Sequence, residues 1–276
     1  MIIYFNGKFT EEKDCTISPF DRGFLFADGV YEVIRNTGKS YIGFEEHLSR
    51  LTNGLEFMQI KLTEKDRLKD ISNELLEKNG LKNREALIYI QVTRGISNPR
   101  KHYFPENPAP TVLINATPLN LNKEEKENGV KVIFTKDERW SRCDIKTISL
   151  LPNVLAMQKA KKTGAAEAVL VRNGEITEGS HTNFFGIKNN CIYTAPLTKN
   201  ILPGVTRKFT IELCKRLGIE IKEECIKFEK INQYDEFFLT STTLDITPVS
   251  QIGDLTVHTG AMTKMLQKEF IEFLKL

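Results

Sequence analysis

Lys146 stands in the stretch "RCDIKTISLLPNVLAMQKA" (141–159), followed by Thr147, Ile148, Ser149 and the pair Leu150 and Leu151. Apolar neighbours on its C-terminal side leave an ammonium two options. It can snorkel to water on its aliphatic stem, or it can lose solvation and with it charge, because burial disfavours the charged form. A neutral amine attacks carbonyls and forms Schiff bases. Three further stretches carry complementary chemistry. "TEGSHTNFFGI" (177–187) sets Glu178 beside Gly179, Ser180 and Thr182. "ILPGVTR" (201–207) opens a helix with a Pro-Gly turn and puts Thr206 in its first turn, a setting that favours an anion. "LTSTTLDITPV" (239–249) offers Ser241, Thr242 and Thr243 where a strand ends. Each alone has a plain structural explanation, since hydroxyl-rich turns are common as turns. Together they supply an amine, a carboxylate and a phosphate cradle, which fits a phosphate-bearing aldehyde such as pyridoxal 5′-phosphate.

These residues need elements to position them. The N-terminus reads as a strand turning at Asn6-Gly7. "VYEVIR" (30–35) and "SYIGF" (40–44) flank Asn36-Thr37-Gly38 and suggest a hairpin. Phe44, Leu48, Leu51, Leu55 and Met58 fall at helical spacing, so a helix is expected over 45–58, with Arg50 off its apolar stripe. A second helix is expected over 63–80, with Thr63 and Asp66 as its cap and Gly80 as its stop. "ALIYIQVTRG" (86–95) and "TVLINATP" (111–118) read as buried strands. The polar run "PLNLNKEEKENG" is the best linker. It divides the chain into an N-terminal α/β domain (1–118), a connecting stretch (119–129) and a C-terminal domain (130–276).

In the second half "VKVIFTK" reads as a strand and 153–163 as a helix ending before Gly164. Hairpins are expected at Asn173-Gly174 and Asn189-Asn190. A helix after "LPGVT" runs to about Leu217, with Gly218 as its stop, and a last one spans 261–274. The mixture is an α+β fold in two subdomains.

Bulk properties are those of a globular protein. The 276 residues suffice for a sizeable core, with 40% apolar and 27% charged residues. A net charge of +3, spread along the chain, gives no reason to expect nucleic acid or an acidic membrane surface. Neither a membrane-spanning run nor a signal peptide is recognisable. Five irregularly spaced cysteines argue against a disulfide framework or zinc site and favour a reducing cytoplasm.

The segments "DRGFLFADGVYEV", "RCDIKTISLLPNVLA", "TEGSHTNFFGI", "ILPGVTR" and "TSTTLDITPV" resemble, in order, the signature segments of the class IV pyridoxal-phosphate aminotransferases. "VTRGISNPRKHYFPEN" (92–107) is similar to the D-amino-acid aminotransferase branch. The resemblance implies a fold-type IV enzyme, with a small α/β N-terminal domain and a larger C-terminal domain built on a barrel-like β core. Lys146 would carry the cofactor as a Schiff base and shuttle the proton. Glu178 would pair with the pyridine nitrogen. Arg50, Thr206, Ser241, Thr242 and the backbone of Val205 would hold the phosphate, and Leu202 would pack on the cofactor face. Tyr31, Arg100 and His102 would bind the substrate carboxylate, with Arg100 and His102 supplied by the partner of a homodimer. Glu32 would lie close by.

The implied reaction is ping-pong exchange between D-amino acids of the D-alanine and D-glutamate type and 2-oxo acids such as 2-oxoglutarate and pyruvate. A branched-chain L-amino-acid aminotransferase and an aminodeoxychorismate lyase are the alternatives on the same fold, and a non-catalytic relic is a third. No metal is implied. The chain departs from the D-specific pattern at His181, where that branch carries a run of serines, and in the loop before Pro99, which is one residue longer. His47 shares the helix face of Arg50 and could support the phosphate site. Cys143 reads as a packing residue, His258 as part of a polar turn, and Trp140 and Phe134 as core.

Overall fold

The structure is a computed structural model and describes residues 1–274. The chain folds as two compact units: Met1–Asn120 with Ile145–Ser149, and Leu121–Asp144 with Leu150–Leu276.

The first unit holds, in chain order, β1 (Ile2–Phe5), β2 (Lys8–Glu11), α1 (Arg22–Phe26), β3 (Gly29–Thr37), α2 (Phe44–Met58), α3 (Leu68–Lys78), β4 (Glu85–Thr93) and β5 (Thr111–Pro118). The strands form an antiparallel sheet in the order β2-β1-β5-β4-β3. Alternation puts Ala86, Ile88, Ile90 and Val92 of β4 on one face. There they meet Leu51 and Leu55 of α2 and Leu68, Ile71 and Leu75 of α3 in one core.

Two sequence expectations change here. The hairpin of 30–35 with 40–44 reduces to a single bridge, Asn36 to Tyr41. On its other edge β3 pairs along its whole length with β4, whose alternating apolar residues match its own. The helix expected from Thr63 begins at Leu68, where the buried stripe begins; the polar residues before it form only a 3-10 turn, Lys65–Arg67. It ends at Lys78 with Gly80 as the expected stop, at φ +67, and Asn79 ties it to β1 by bonds of 2.8 Å to both N and O of Ile2.

The second unit holds α4 (Lys123–Asn128), β6 (Val130–Lys136), α5 (Leu151–Lys162), β7 (Glu167–Arg172), β8 (Glu175–Gly179), β9 (Asn183–Lys188) and β10 (Cys191–Thr194). They are followed by α6 (Val205–Arg216), β11 (Ile221–Glu223), β12 (Glu236–Ser241), β13 (Asp245–Ile252), β14 (Leu255–Thr256) and α7 (Ala261–Phe273). The sheet order is β11-β10-β9-β12-β13-β6-β7-β8, with β14 on β13. β8 ends this path, yet three residues join it to β9, third from the other end. A turn so short, closed by Gly179 N donating to Thr182 O at 2.8 Å, makes the sheet curl back on itself. The barrel-like core expected for this half follows.

The three tight turns expected at asparagines form, at Asn6-Gly7, Asn173-Gly174 and Asn189-Asn190, each with both residues at positive φ. The stretch 119–129 is more structured than a connector: Asn122 caps α4, and the boundary between the units falls between Asn120 and Leu121. α5 starts at Leu151, two residues before the expected start. Phe134 packs edge-on to Phe184 and Phe228, whereas Trp140, expected in the core, is 44% exposed. Among the described residues no helix is long and apolar enough to cross a membrane.

Leu75 is fully buried between α3 and the first sheet. Leu75→Ala is expected to cost roughly 2–5 kcal/mol, read as a lowered urea midpoint. An unchanged midpoint would contradict the packing described.

Candidate active site

In the first unit β3 is the last strand of its sheet, so its outer edge offers unpaired amides and carbonyls. Residues 146–148 take that edge. Tyr31 N donates to Lys146 O at 3.0 Å, Ile148 N donates to Gly29 O at 3.1 Å, and Val30 bridges Thr147. This pairing explains why so distant a segment belongs to the first unit, and it fixes Lys146 beside Tyr31. The Lys146 Nζ lies 4.3 Å from the centroid of the Tyr31 ring, a cation–π contact. Lys146 is half-buried, so the desolvation expected from its apolar neighbours is partial.

One residue along β3, Glu32 is fully buried. Arg50 Nε and Nη2 donate to it at 2.7 and 2.8 Å, and His47 Nδ1 lies 2.7 Å away. His47 and Arg50 stand three apart on α2 and so share a face. Burial pushes the Glu32 carboxyl up, and Arg50 and His47 more than reverse it, leaving a pKa of about 2. His47 is pulled down, chiefly by its own burial. The two residues implied for the phosphate site and its surroundings, Arg50 and Glu32, are thus bonded to each other. Arg100 and His102 lie in the exposed loop between β4 and β5, against one ring: Arg100 Cζ is 4.2 Å from the Phe26 centroid and the His102 ring 5.4 Å.

In the second unit Glu178 is 3% exposed near the end of β8. It accepts from Arg139 Nη1 at 2.5 Å, Asn183 Nδ2 at 2.9 Å and Leu202 N at 3.1 Å. Burial pushes its pKa up to about 7, against the pull of Arg139. Burial also works against the charge of Arg139, but Asp137 and Glu178 together raise its pKa. Three N–H groups on a carboxylate with about four acceptor sites leave room for one more donor, which fits a protonated ring nitrogen.

Asn183 also donates to Leu202 O at 3.1 Å and so ties Glu178 to the turn before α6. A Cβ on Gly204 would stand 2.0 Å from Asn183 Oδ1, so that turn needs glycine for the close approach. No side chain caps α6, and Val205 and Thr206 are buried in its first turn. Such an end suits a phosphate. Thr240 pairs with Asn183 across β12 and β9, which sets Ser241 and Thr242 at the same end of the sheet. The Ser241 hydroxyl accepts from Leu244 N at 3.2 Å.

His181 is half exposed, with Nδ1 2.9 Å from Glu167 Oε2. Glu167 is wholly buried and also receives Ser180 Oγ at 2.5 Å and Thr182 Oγ1 at 2.9 Å. Cys143 is buried, its thiol pushed up by burial and donating to Trp140 O at 3.2 Å.

Sequence reading missed Arg139, Asn183 and Glu167. The available signals were weak: a basic residue two after Asp137, and a carboxylate beginning the apolar run "EAVLV".

Glu178 and Glu32 have opposite effects on pH stability. Between its ordinary 4.5 and about 7 the folded chain keeps a proton on Glu178 that the unfolded chain has lost. Its contribution therefore falls as pH rises through that window. Glu32, held at about 2, contributes stability above 4.5 that is lost as pH falls toward 2. Urea midpoints of the cofactor-free protein at about pH 5 and about pH 7.5 check the first effect. The wild type should lose more stability between them than Glu178→Gln; equal losses would contradict the assignment.

A family model described as amino-transferase class IV matches residues 29–252. The chain is 39% identical over 271 residues to a D-alanine aminotransferase of Bacillus licheniformis, covering 97% of this chain and 95% of the relative. It is 36% identical over 280 residues to a D-alanine aminotransferase of Staphylococcus haemolyticus, covering 99% and 98%. The crystal structure of an Escherichia coli branched-chain amino acid aminotransferase matches with a TM-score of 0.89 at 26% identity, covering 98% of this chain and 93% of that one. A family match that runs from β3 to β13, with relatives 39% and 36% identical over nearly the whole chain, places this chain in the class IV aminotransferase family.

Proposed function

We propose that the protein exchanges amino groups between D-amino acids, D-alanine and D-glutamate among them, and 2-oxo acids such as 2-oxoglutarate and pyruvate, with pyridoxal 5′-phosphate as cofactor. The observation that carries the chemistry is Lys146, half-buried and fixed main chain to main chain beside Tyr31. The near full-length likeness to D-alanine aminotransferases supports the D-amino-acid side.

When bound, the cofactor supplies an aldehyde carbon and a protonated ring nitrogen that draws electrons from the substrate Cα. Lys146 Nζ would hold the aldehyde carbon of the cofactor and, as a free amine, would be the base that takes the proton from the substrate Cα and gives it back on the other side of the imine nitrogen. The Glu178 carboxylate holds the proton on the ring nitrogen, and Arg139, at 2.5 Å, favours the charged form that this task needs. Leu202 packs on the cofactor face. The amides of Val205 and Thr206, the hydroxyls of Thr206, Ser241 and Thr242, and Arg50 hold the phosphate. Glu32 offsets the charge of Arg50, so the α6 amides and hydroxyls carry more of the anion.

Tyr31, Arg100 and His102 receive the substrate carboxylate, the last two from the partner of a homodimer. A guanidinium offers that carboxylate a planar fork. The face of the substrate that Nζ meets is then set by where its carboxylate is held. The cysteine pattern supports a cytoplasmic setting.

Formation of D-glutamate from D-alanine and 2-oxoglutarate, followed by chiral separation of the product, tests the reading. The wild type should form the D product, and Lys146→Ala should form none above background. Substantial turnover by Lys146→Ala, or turnover confined to L-leucine, would overturn it.

A further inference from the structure

Residues 94–110 join β4 to β5 with no helix or strand, longer than the roughly 12–15 residues usual for an unstructured loop in a compact domain. Their side chains are largely exposed, Tyr103 at 64% and Ile96 at 57%. A loop of this length and exposure should be mobile. It is instead held from below by one buried cation. Arg22, 3% exposed, donates through Nη1 to Lys101 O at 2.6 Å and to Tyr103 O at 3.4 Å, and through Nη2 to His102 O at 3.2 Å. Three successive carbonyls converge on one guanidinium.

Arg22 is itself fixed. Its Nε donates to Asp28 Oδ2 at 2.7 Å. Asp28 also takes Arg94 through Nε at 2.8 Å and Nη2 at 3.0 Å. Arg94 spans to the C-terminal end of α2, bonding Met58 O at 2.6 Å and Gln59 O at 3.2 Å, and lies 3.4 Å from the centroid of the Phe104 ring. Two cations share one carboxylate. The surplus charge faces carbonyls, those of a helix C-terminus on one side and those of the loop on the other. The neck of the loop is closed as well: a Cβ on Gly95 would stand 1.9 Å from Ala109 O.

The same guanidinium sets the surface on which the loop's side chains rest. Arg22 Cζ is 4.7 Å from the Phe26 centroid, and Arg100 and His102 lie against that ring. We propose that Arg22, anchored by Asp28, is the positioning residue of the carboxylate-binding loop, and that Phe26 is the platform on which Arg100 and His102 stand before substrate arrives. The inference deepens the reading of Arg100 and His102 given above and rests on it. A preset guanidinium costs the substrate less ordering on binding, so the device acts on substrate affinity rather than on proton transfer.

Arg22→Lys tests this in the holoenzyme, because an ammonium can still pair with Asp28 but cannot span three carbonyls. Two readouts are needed: hydrogen exchange of the backbone amides of 96–107, and the separate KM and kcat for D-alanine. Arg22→Lys should speed exchange in that peptide by about 10-fold or more and leave β4 and β5 unchanged. KM should rise about 10- to 100-fold with kcat nearly kept. If Arg22→Lys does not fold, Phe26→Leu is read for the KM rise with kcat kept.

Arg100→Ala separates the two claims. If it raises KM while Arg22→Lys changes neither exchange nor KM, the positioning role falls and the reading of Arg100 stands. Should Arg100→Ala leave KM untouched, the carboxylate reading falls, and faster exchange in Arg22→Lys would then report loop anchoring without that purpose. A loss of kcat and thermal stability in Arg22→Lys with KM unchanged would mark Arg22 as merely structural.

Discussion

A carboxylate taken out of water must be met by cations or N–H groups, or its burial costs several kcal/mol. That constraint organises this molecule. Asp28, Glu32, Glu167 and Glu178 are each at most 7% exposed. Each meets donors from at least one other stretch of chain. Asp28 binds α1, the loop after β4 and the end of α2 together through Arg22 and Arg94. Glu32 fastens β3 to α2. Glu167 closes the turn between β8 and β9, and Glu178 ties β8 to the turn before α6. Removing one partner from such a group leaves a buried charge uncompensated, which fixes these elements more tightly than apolar packing alone would.

The chemistry proposed for the protein uses the same groups. Glu178 is poised near neutrality because burial and Arg139 pull in opposite directions. Arg50 is oriented by Glu32. Lys146 is placed by main-chain bonds along the edge of β3, which set its side chain over the Tyr31 ring. Rigid anchoring of a few reactive atoms is what transamination asks of its protein, since the cofactor carries the electronic demand.

What the sequence made legible was local. Turns at asparagine pairs, the apolar stripe of α2, the glycine stops and the signature stretches around Lys146 and Glu178 all read from neighbours a few residues away. What it concealed was set by partners far along the chain. Arg139 meets Glu178 across 39 positions and Arg22 meets the loop carbonyls across about 80. No periodicity announces either. The strand expected at 40–44 keeps only the bridge from Asn36 to Tyr41, because α2 already begins at Phe44. Trp140 read as core from its type alone, whereas its place beside the irregular stretch after β6 leaves it exposed.

The central claim is that Lys146 carries pyridoxal phosphate in a site that accepts D-amino acids. The most direct measurement is the visible absorption spectrum of the purified holoenzyme, recorded before and after D-alanine and, on a separate sample, L-leucine. The account predicts a violet-absorbing band that bleaches with D-alanine and returns on adding 2-oxoglutarate. Bleaching by L-leucine alone would contradict the assigned substrate, and a colourless protein that cannot be reconstituted would contradict the role of Lys146.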